Sequence, residues 1–150
     1  VDPFTGMPYS DQMARLGLQE GGQPDYQSLG MPYTDDPFIA KIIGVESSGI
    51  VDRVSPVGAK GLMQIMPNTA AQPGFGVKPF QGDDLFDVQE NVRFGTDYIY
   101  ALTDKLGNKR DAAIAYNWGY GNTKKWLEQG ADLNKLPKET RNYIRKLELD

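Results

Sequence analysis

Asp36-Pro37-Phe38-Ile39-Ala40-Lys41-Ile42-Ile43-Gly44-Val45-Glu46-Ser47-Ser48-Gly49 is the stretch on which the fold turns. Asp36 is a good N-cap, and Pro37 suits the first helical position because it has no N–H to leave unpaired. Phe38, Ile39, Ile42 and Ile43 then recur at helical spacing, which predicts a helix to about Ser47 with one apolar face. Glu46 lies four residues after Ile42 and three after Ile43, so its carboxylate projects from that same face. An acid desolvated there has a raised pKa and can donate a proton near neutral pH, as acids in glycoside chemistry do. The structural alternative is a last helical turn that points its acid into solvent.

Downstream, residues 50–60 alternate, carry Pro56 and Gly58, and read as a short hairpin or loop. Residues 61–71 read as short helical turns broken around Pro67, followed by an irregular connection through Pro73, Gly74, Gly76 and Pro79. The most regular helix runs from 87 to about 106, with Asp87 and Glu90 as a capping-box-like start and Gly107 as its stop. Val88, Val92, Ile99, Leu102 and Leu106 form its expected core stripe, with Gly95 as a close-packing position. Shorter helices are expected over 109–116 after Asn108, over 122–129 before Gly130, and over 137–149 from Pro137. Only residues 50–55 are a plausible strand, so the fold class is mainly α with at most one small β-hairpin.

Upstream, residues 1–36 hold six acids against one base and contain Pro3, Pro8, Pro24 and Pro32 with five glycines. This predicts an acidic, extended N-terminal arm (residues 1–36) before a body (residues 37–150), with one weak helix over 11–20. Gly6-Met7-Pro8-Tyr9-Ser10-Asp11 recurs as Gly30-Met31-Pro32-Tyr33-Thr34-Asp35, a near-repeat that reads either as two docking contacts or as linker residues covering the core. The body holds fourteen acids against fifteen bases, so most of the net charge of −4 comes from the arm. Residues 105–146 hold ten bases against four acids, a locally basic third able to meet an anionic polymer.

The 150-residue length suits one domain, and 39% hydrophobic residues are too many for a wholly disordered chain. With no Cys and no His, disulfides, thiol nucleophiles, imidazole bases and His-ligated metals are excluded. An enzyme built from this chain must use carboxylates, hydroxyls, amides or Lys. No stretch approaches the ~20 apolar residues of a membrane span. The Val1 start and a first segment without a basic, apolar leader are expected of a processed product or an excised piece.

Four ordered blocks sharpen this. Glu46-Ser47-Ser48 is followed by Ser55-Pro56-Val57-Gly58-Ala59-Lys60-Gly61-Leu62-Met63-Gln64 with Pro67-Asn68-Thr69-Ala70, then by Ala115-Tyr116-Asn117-Trp118-Gly119-Tyr120-Gly121, then by Pro137-Lys138-Glu139-Thr140-Arg141-Asn142-Tyr143-Ile144. In this order they resemble the soluble lytic transglycosylase family, whose catalytic domain has the goose-type lysozyme-like fold, across about residues 37–147. By that resemblance Glu46 is the sole catalytic acid. Ser55, Gln64 and Met66 line the cleft beside it, and Tyr116 and Asn117 orient the intermediate and the N-acetyl sugar. Glu139 supports the floor, and Tyr143 is a weaker carry-over. Trp118-Gly119-Tyr120-Gly121 departs from the family's Gly-Pro-Gly-like turn and brings two aromatic rings to the lip, where they could stack on sugar or simply pack.

The implied reaction breaks the β-1,4 bond between N-acetylmuramic acid and N-acetylglucosamine in bacterial peptidoglycan and leaves a 1,6-anhydro end. It needs no cofactor and no metal, and one Glu serves as acid and then as base, the substrate's acetamido group standing in for a second carboxylate. If Asp52, Asp83, Asp84 or Asp87 positioned a water opposite Glu46, the outcome would be a hydrolytic muramidase. A non-catalytic wall-binding or virion-structural module is the alternative outside enzymes. The expected partners are peptidoglycan glycan strands and, through the arm, virion or cell-envelope proteins. No nucleic-acid motif accompanies the basic third, so a nucleic-acid partner is not expected. The expected place of action is the periplasm or cell wall, in a phage virion-associated or exported bacterial protein.

Overall fold

The computed structural model describes residues 24–150. The helix expected over 11–20 and the first copy of the near-repeat lie outside the described residues. In chain order the helices are α1 (Tyr26–Gly30), α2 (Pro37–Ser47), α3 (Pro67–Ala71), α4 (Val88–Leu106), α5 (Lys109–Trp118), α6 (Tyr120–Glu128), a 3₁₀ turn (Leu133–Lys135) and α7 (Lys138–Lys146). The mainly α class is borne out, with isolated bridges at Val54–Lys60 and Lys60–Ile65 in place of a regular hairpin.

The core is arranged around α5. Ala112, Ala113, Ile114 and Ala115 are all buried, which means that α5 is covered on every side. Small residues there let α4, α6 and α7 approach it. Its C-terminal end, Tyr116-Asn117-Trp118, is only partly buried, so the most enclosed helix delivers its last turn to the surface.

Helix α2 joins this core through Ile39, Ile42 and Ile43, all fully buried. Asp36 caps it as expected, accepting from the Phe38 and Ile39 N–H groups at 2.9 and 3.2 Å, while its second oxygen accepts from Tyr100 of α4. The helix stops where Ser48 turns left-handed, at φ 56°.

Residues 25–36, expected as the end of an extended arm, hold α1. Asp25 caps it by accepting from Ser28 N–H. Five residues are too few for a legible helical period, so tertiary packing sustains it. A Cβ at Gly30 would land on the Ala40 carbonyl and one at Gly44 on the Tyr26 carbonyl, so the two glycines permit a backbone-to-backbone crossing of α1 and α2. The second copy of the near-repeat is the connection between these helices. Its Tyr33 hydroxyl donates to the Gly49 carbonyl at 3.1 Å, while Met31 and Pro32 are exposed.

Helix α4 has the expected cap and stop at Asp87 and Gly107. Glu90 does not complete the capping box, because its carboxylate pairs with Arg93 at 2.7 Å. The buried face is Asn91, Phe94, Gly95, Ile99 and Leu102, with Val88, Val92 and Leu106 only partly buried, so the stripe is rotated from the expected one. Asn91 accounts for the rotation. Its Oδ1 accepts from Met63 N–H at 2.8 Å, and its Nδ2 donates to the Lys60 and Leu85 carbonyls at 3.0 and 2.8 Å. A polar side chain thus occupies the core because three backbone groups need it.

The remaining boundaries shift modestly. Pro67 starts α3 instead of breaking a helix, as a residue without an N–H can. Helix α6 starts at Tyr120, earlier than expected, and α7 ends at Lys146, short of 149, where Glu148 adopts φ 59°.

Replacing Asn91 by Leu keeps the volume but strands the Met63 N–H and the Lys60 and Leu85 carbonyls. The expected loss of stability is on the order of 3 kcal/mol, read from chemical denaturation, with a change below ~1 kcal/mol contradicting the anchoring role.

Candidate active site

Glu46 sits in the last turn of α2, one position from the fully buried Ser47. Part of its side chain faces a cleft, but the carboxyl is deeply enclosed. Burial raises its pKa from 4.5 to about 7; the hydrogen bond from Tyr143 and the charge of Arg53 pull the other way, and the negative Glu139 adds to the rise. Tyr143 of α7 donates its hydroxyl to Glu46 Oε2 at 2.9 Å, across 97 positions of chain. Burial and the neighbouring carboxyl also hold the Tyr143 phenol well above its ordinary pKa, so it stays a donor. Tyr116 is raised likewise, mainly by burial.

Three adjoining cavities form the cleft. The central one, about 460 Å³, is lined by Glu46, Ser55, Gln64, Met66, Tyr116, Asn117 and Glu139, together with Pro56, Val57 and Ala59. Glu46, Asn117 and Glu139 also line a second cavity of about 440 Å³, which contains Tyr143, Asn142, Lys138 and Lys146. At the other end, Gln64, Met66, Tyr116 and Asn117 border a third, about 250 Å³, with Tyr98 and Trp118. Glu46, Ser55, Gln64, Met66, Tyr116, Asn117, Glu139 and Tyr143 therefore all line this set of cavities, which share walls.

The individual geometries divide these residues by what they have left to offer. Gln64 adopts φ 53°, and its Nε2 donates to the Gly61 and Arg53 carbonyls at 2.8 and 3.1 Å, leaving Oε1 as its acceptor for a ligand. Ser55 Oγ accepts from Ala59 N–H at 3.0 Å and keeps its own proton to donate. Tyr116 donates to the Met63 carbonyl at 2.7 Å, which ties α5 to the Gln64 loop. Asn117 Oδ1 accepts from Thr140 at 2.9 Å, and its two amide protons have no partner among the described residues. Val57, 76% exposed, and Met66, 36% exposed, form an apolar lip.

Sequence reading missed Thr140, which orients Asn117, because nothing local marks a contact spanning 23 residues. It also missed Tyr98 and the cations Lys138 and Lys146. The two aromatic rings of the altered turn separate: Trp118 lines the cleft, whereas Tyr120 packs edge-on against Phe75 with ring centres 5.0 Å apart. Of the acids weighed as partners for Glu46, Asp83, Asp84 and Asp87 line a different cavity beside Arg93, and Asp52 is an exposed loop residue. Glu139 is the other carboxylate on the Glu46 cavities among the described residues. No group of three or more acidic side chains that could hold a metal ion occurs among the described residues.

The model of the transglycosylase SLT domain matches residues 27–137. The chain is 37% identical over 103 residues to the soluble lytic murein transglycosylase of Salmonella typhimurium, covering 61% of this chain and 16% of that protein. It is 34% identical over 88 residues to a transglycosylase of Enterobacteria phage PRD1, covering 58% of this chain and 31% of that one. The 70 kDa soluble lytic transglycosylase of Escherichia coli superposes with a TM-score of 0.65 at 30% identity, covering 81% of this chain and 22% of that one. The lytic transglycosylase Slt of Pseudomonas aeruginosa gives 0.62 at 26% identity, covering 92% and 22%. The chain thus spans about a sixth of the length of the first of these relatives. With the match extending over most of its helices and over the cleft residues from Glu46 to Asn117, the chain belongs to the transglycosylase SLT domain family.

Proposed function

We propose that this domain cleaves the β-1,4 bond between N-acetylmuramic acid and N-acetylglucosamine in peptidoglycan without hydrolysis, leaving 1,6-anhydromuramyl ends. The observation that carries this reading is the Glu46 carboxyl, poised with a pKa of about 7 on the wall of the glycan-sized groove. Near pH 7 both of its protonation states are populated, which suits a group that must act as acid and then as base. Protonated Glu46 gives its proton to the glycosidic oxygen as the C1–O bond breaks, and the 2-acetamido carbonyl of the muramyl unit bonds to C1. Glu46, now ionised, accepts the proton of the muramyl C6 hydroxyl while that oxygen attacks C1 and expels the acetamido oxygen. Proton count and charge are restored, and no water enters.

Tyr143 accompanies both steps. Its O–H donates more strongly to the carboxylate than to the acid, and so it stabilises the ionised state between the two transfers. The amide protons of Asn117, without a partner among the described residues, would hold an N-acetyl carbonyl, Gln64 Oε1 and Ser55 Oγ–H would offer polar contacts, and Met66 and Val57 would give an apolar wall. Glu139, an exposed residue lining the same cavities, favours the protonated form of Glu46 by its charge. The names of the relatives support the lytic outcome. The place of action follows from the substrate: the bacterial wall, reached from the periplasm or from a virion. No described helix is long and apolar enough to cross a membrane.

Glu46→Gln is expected to lower the rate on purified peptidoglycan by at least ~10²-fold while leaving sedimentation with the wall material intact. The wild-type digest should contain anhydro ends by mass spectrometry. Wild-type turnover by Glu46→Gln would remove Glu46 from the chemistry, and reducing ends alone would establish hydrolysis.

The free enzyme needs protonated Glu46, so kcat/KM should fall as pH rises through about 7. Tyr143→Phe removes a bond that favours the carboxylate, and the alkaline limb should therefore move to higher pH. A limb unmoved or shifted downward would show that Tyr143 does not act on Glu46.

A further inference from the structure

Helix α7 lays three polar side chains along the second of the Glu46 cavities. Lys138, Asn142 and Lys146 follow one another at intervals of four residues, so they form one row on the helix, about 12 Å from end to end. All three line the cavity of about 440 Å³ that Glu46, Asn117, Glu139 and Tyr143 also line. Both lysines are exposed, and neither makes an ion pair among the described residues. Neither ammonium is among the charges that move the Glu46 pKa, which are those of Glu139 and Arg53. The two cations thus border the same space as the reacting carboxyl without drawing it towards its ionised form. The residues lining the other two cavities include no cation, so the positive charge is confined to one side of the site.

We propose, resting on the peptidoglycan reading above, that Lys138 and Lys146 bind the free lactyl carboxylate of a muramyl unit whose stem peptide has been removed, so that the domain prefers denuded glycan strands. With C1 of that sugar beside Glu46 and the N-acetyl group of C2 on Asn117, the next ring carbon carries the lactyl ether. That substituent leaves where Glu46 and Asn117 share a wall, and of the two cavities lined by both residues only one has cations. The charge at this position depends on the peptide. Joined to a stem peptide, the lactyl group ends in a neutral amide; once that bond is hydrolysed, it ends in a carboxylate, ionised at neutral pH. Two long, flexible lysines can converge over Asn142 and give such a carboxylate charge-assisted hydrogen bonds, which are stronger than those to an amide oxygen. Glu139 on the same cavity sets one negative charge against the two positive ones.

Three forms of one glycan preparation separate charge from bulk: peptide-bearing strands, strands stripped of peptide by an amidase, and stripped strands whose lactyl carboxylates have been converted to primary amides. The wild type is expected to cut stripped strands about three- to tenfold better in kcat/KM than amidated ones, chiefly through KM. That ratio should shrink with added salt, and peptide-bearing strands should be cut no faster than amidated ones. Lys138→Gln/Lys146→Gln should bring the ratio of stripped to amidated strands close to one, whereas Lys138→Arg/Lys146→Arg, which keeps both charges, should retain it. Each ratio is taken within one protein, so any loss of folded material cancels. Equal wild-type rates on stripped and amidated strands, faster cutting of peptide-bearing strands, or an undiminished ratio in the glutamine variant would overturn the lactyl site while leaving the glycan reading intact. Failure of the wild type to cut any of the three would overturn both.

Discussion

A carboxyl carried on the apolar face of a core helix is the constraint around which this domain is organised. Burying the Glu46 carboxyl costs the ionised form its solvation, and the hydrogen bond from Tyr143 returns only part of that. The resulting pKa near 7 comes at the expense of stability. Below about pH 4.5 the carboxyl is neutral whether the chain is folded or not, and burial is tolerated. Between about 4.5 and 7 the unfolded chain ionises while the folded one resists, so this group subtracts increasingly from stability as pH rises. Above about 7 the penalty is complete, on the order of 3–4 kcal/mol. The hydrogen bond that moderates it also locks α7 onto α2, so one contact both tunes the acid and closes the core.

The loop that walls the groove is held by side chains that bind its backbone. Asn91 binds the Met63 N–H and the Lys60 and Leu85 carbonyls, Tyr116 binds the Met63 carbonyl, and Gln64 binds the carbonyls of Gly61 and Arg53. A loop with almost no strand character is thereby held rigidly against α4 and α5. Rigid positioning of this kind lets few polar groups suffice, because their orientation is settled before substrate arrives. Asn117, oriented by Thr140, is the clearest case: one side of its amide is committed and the other is free.

Much of this was legible in the sequence because the signals were local. Asp36-Pro37 and Asp87 through Gly107 mark helix ends by chemistry that acts within one turn, and Glu46 stands out because an acid three and four residues from isoleucines breaks a pattern. The four ordered blocks then supplied the cleft residues. What escaped depended on contacts distant in sequence. Helix α1 is too short to show a period and exists because Gly30 and Gly44 allow two backbones to touch. The face of α4 rotated because Asn91 serves a loop some thirty residues away, and neither Thr140 nor the cations of α7 carry any mark of the partners and cavities they meet.

The missing His and Cys are consistent with the same economy. A mechanism with one tuned carboxyl and a substrate that supplies its own nucleophile asks for no other titratable group, and the exposed loop acids can remain outside the groove. The state of Glu46 in the folded chain is therefore decisive. Carbon-13 NMR of the chain labelled at the glutamate side-chain carboxyls, with Glu46→Gln to assign the resonance, measures this directly. The Glu46 signal is expected to titrate at about pH 7. Titration at the ordinary value of 4.5 would contradict it, because the carboxyl would then be a solvated anion with no proton to give at neutral pH.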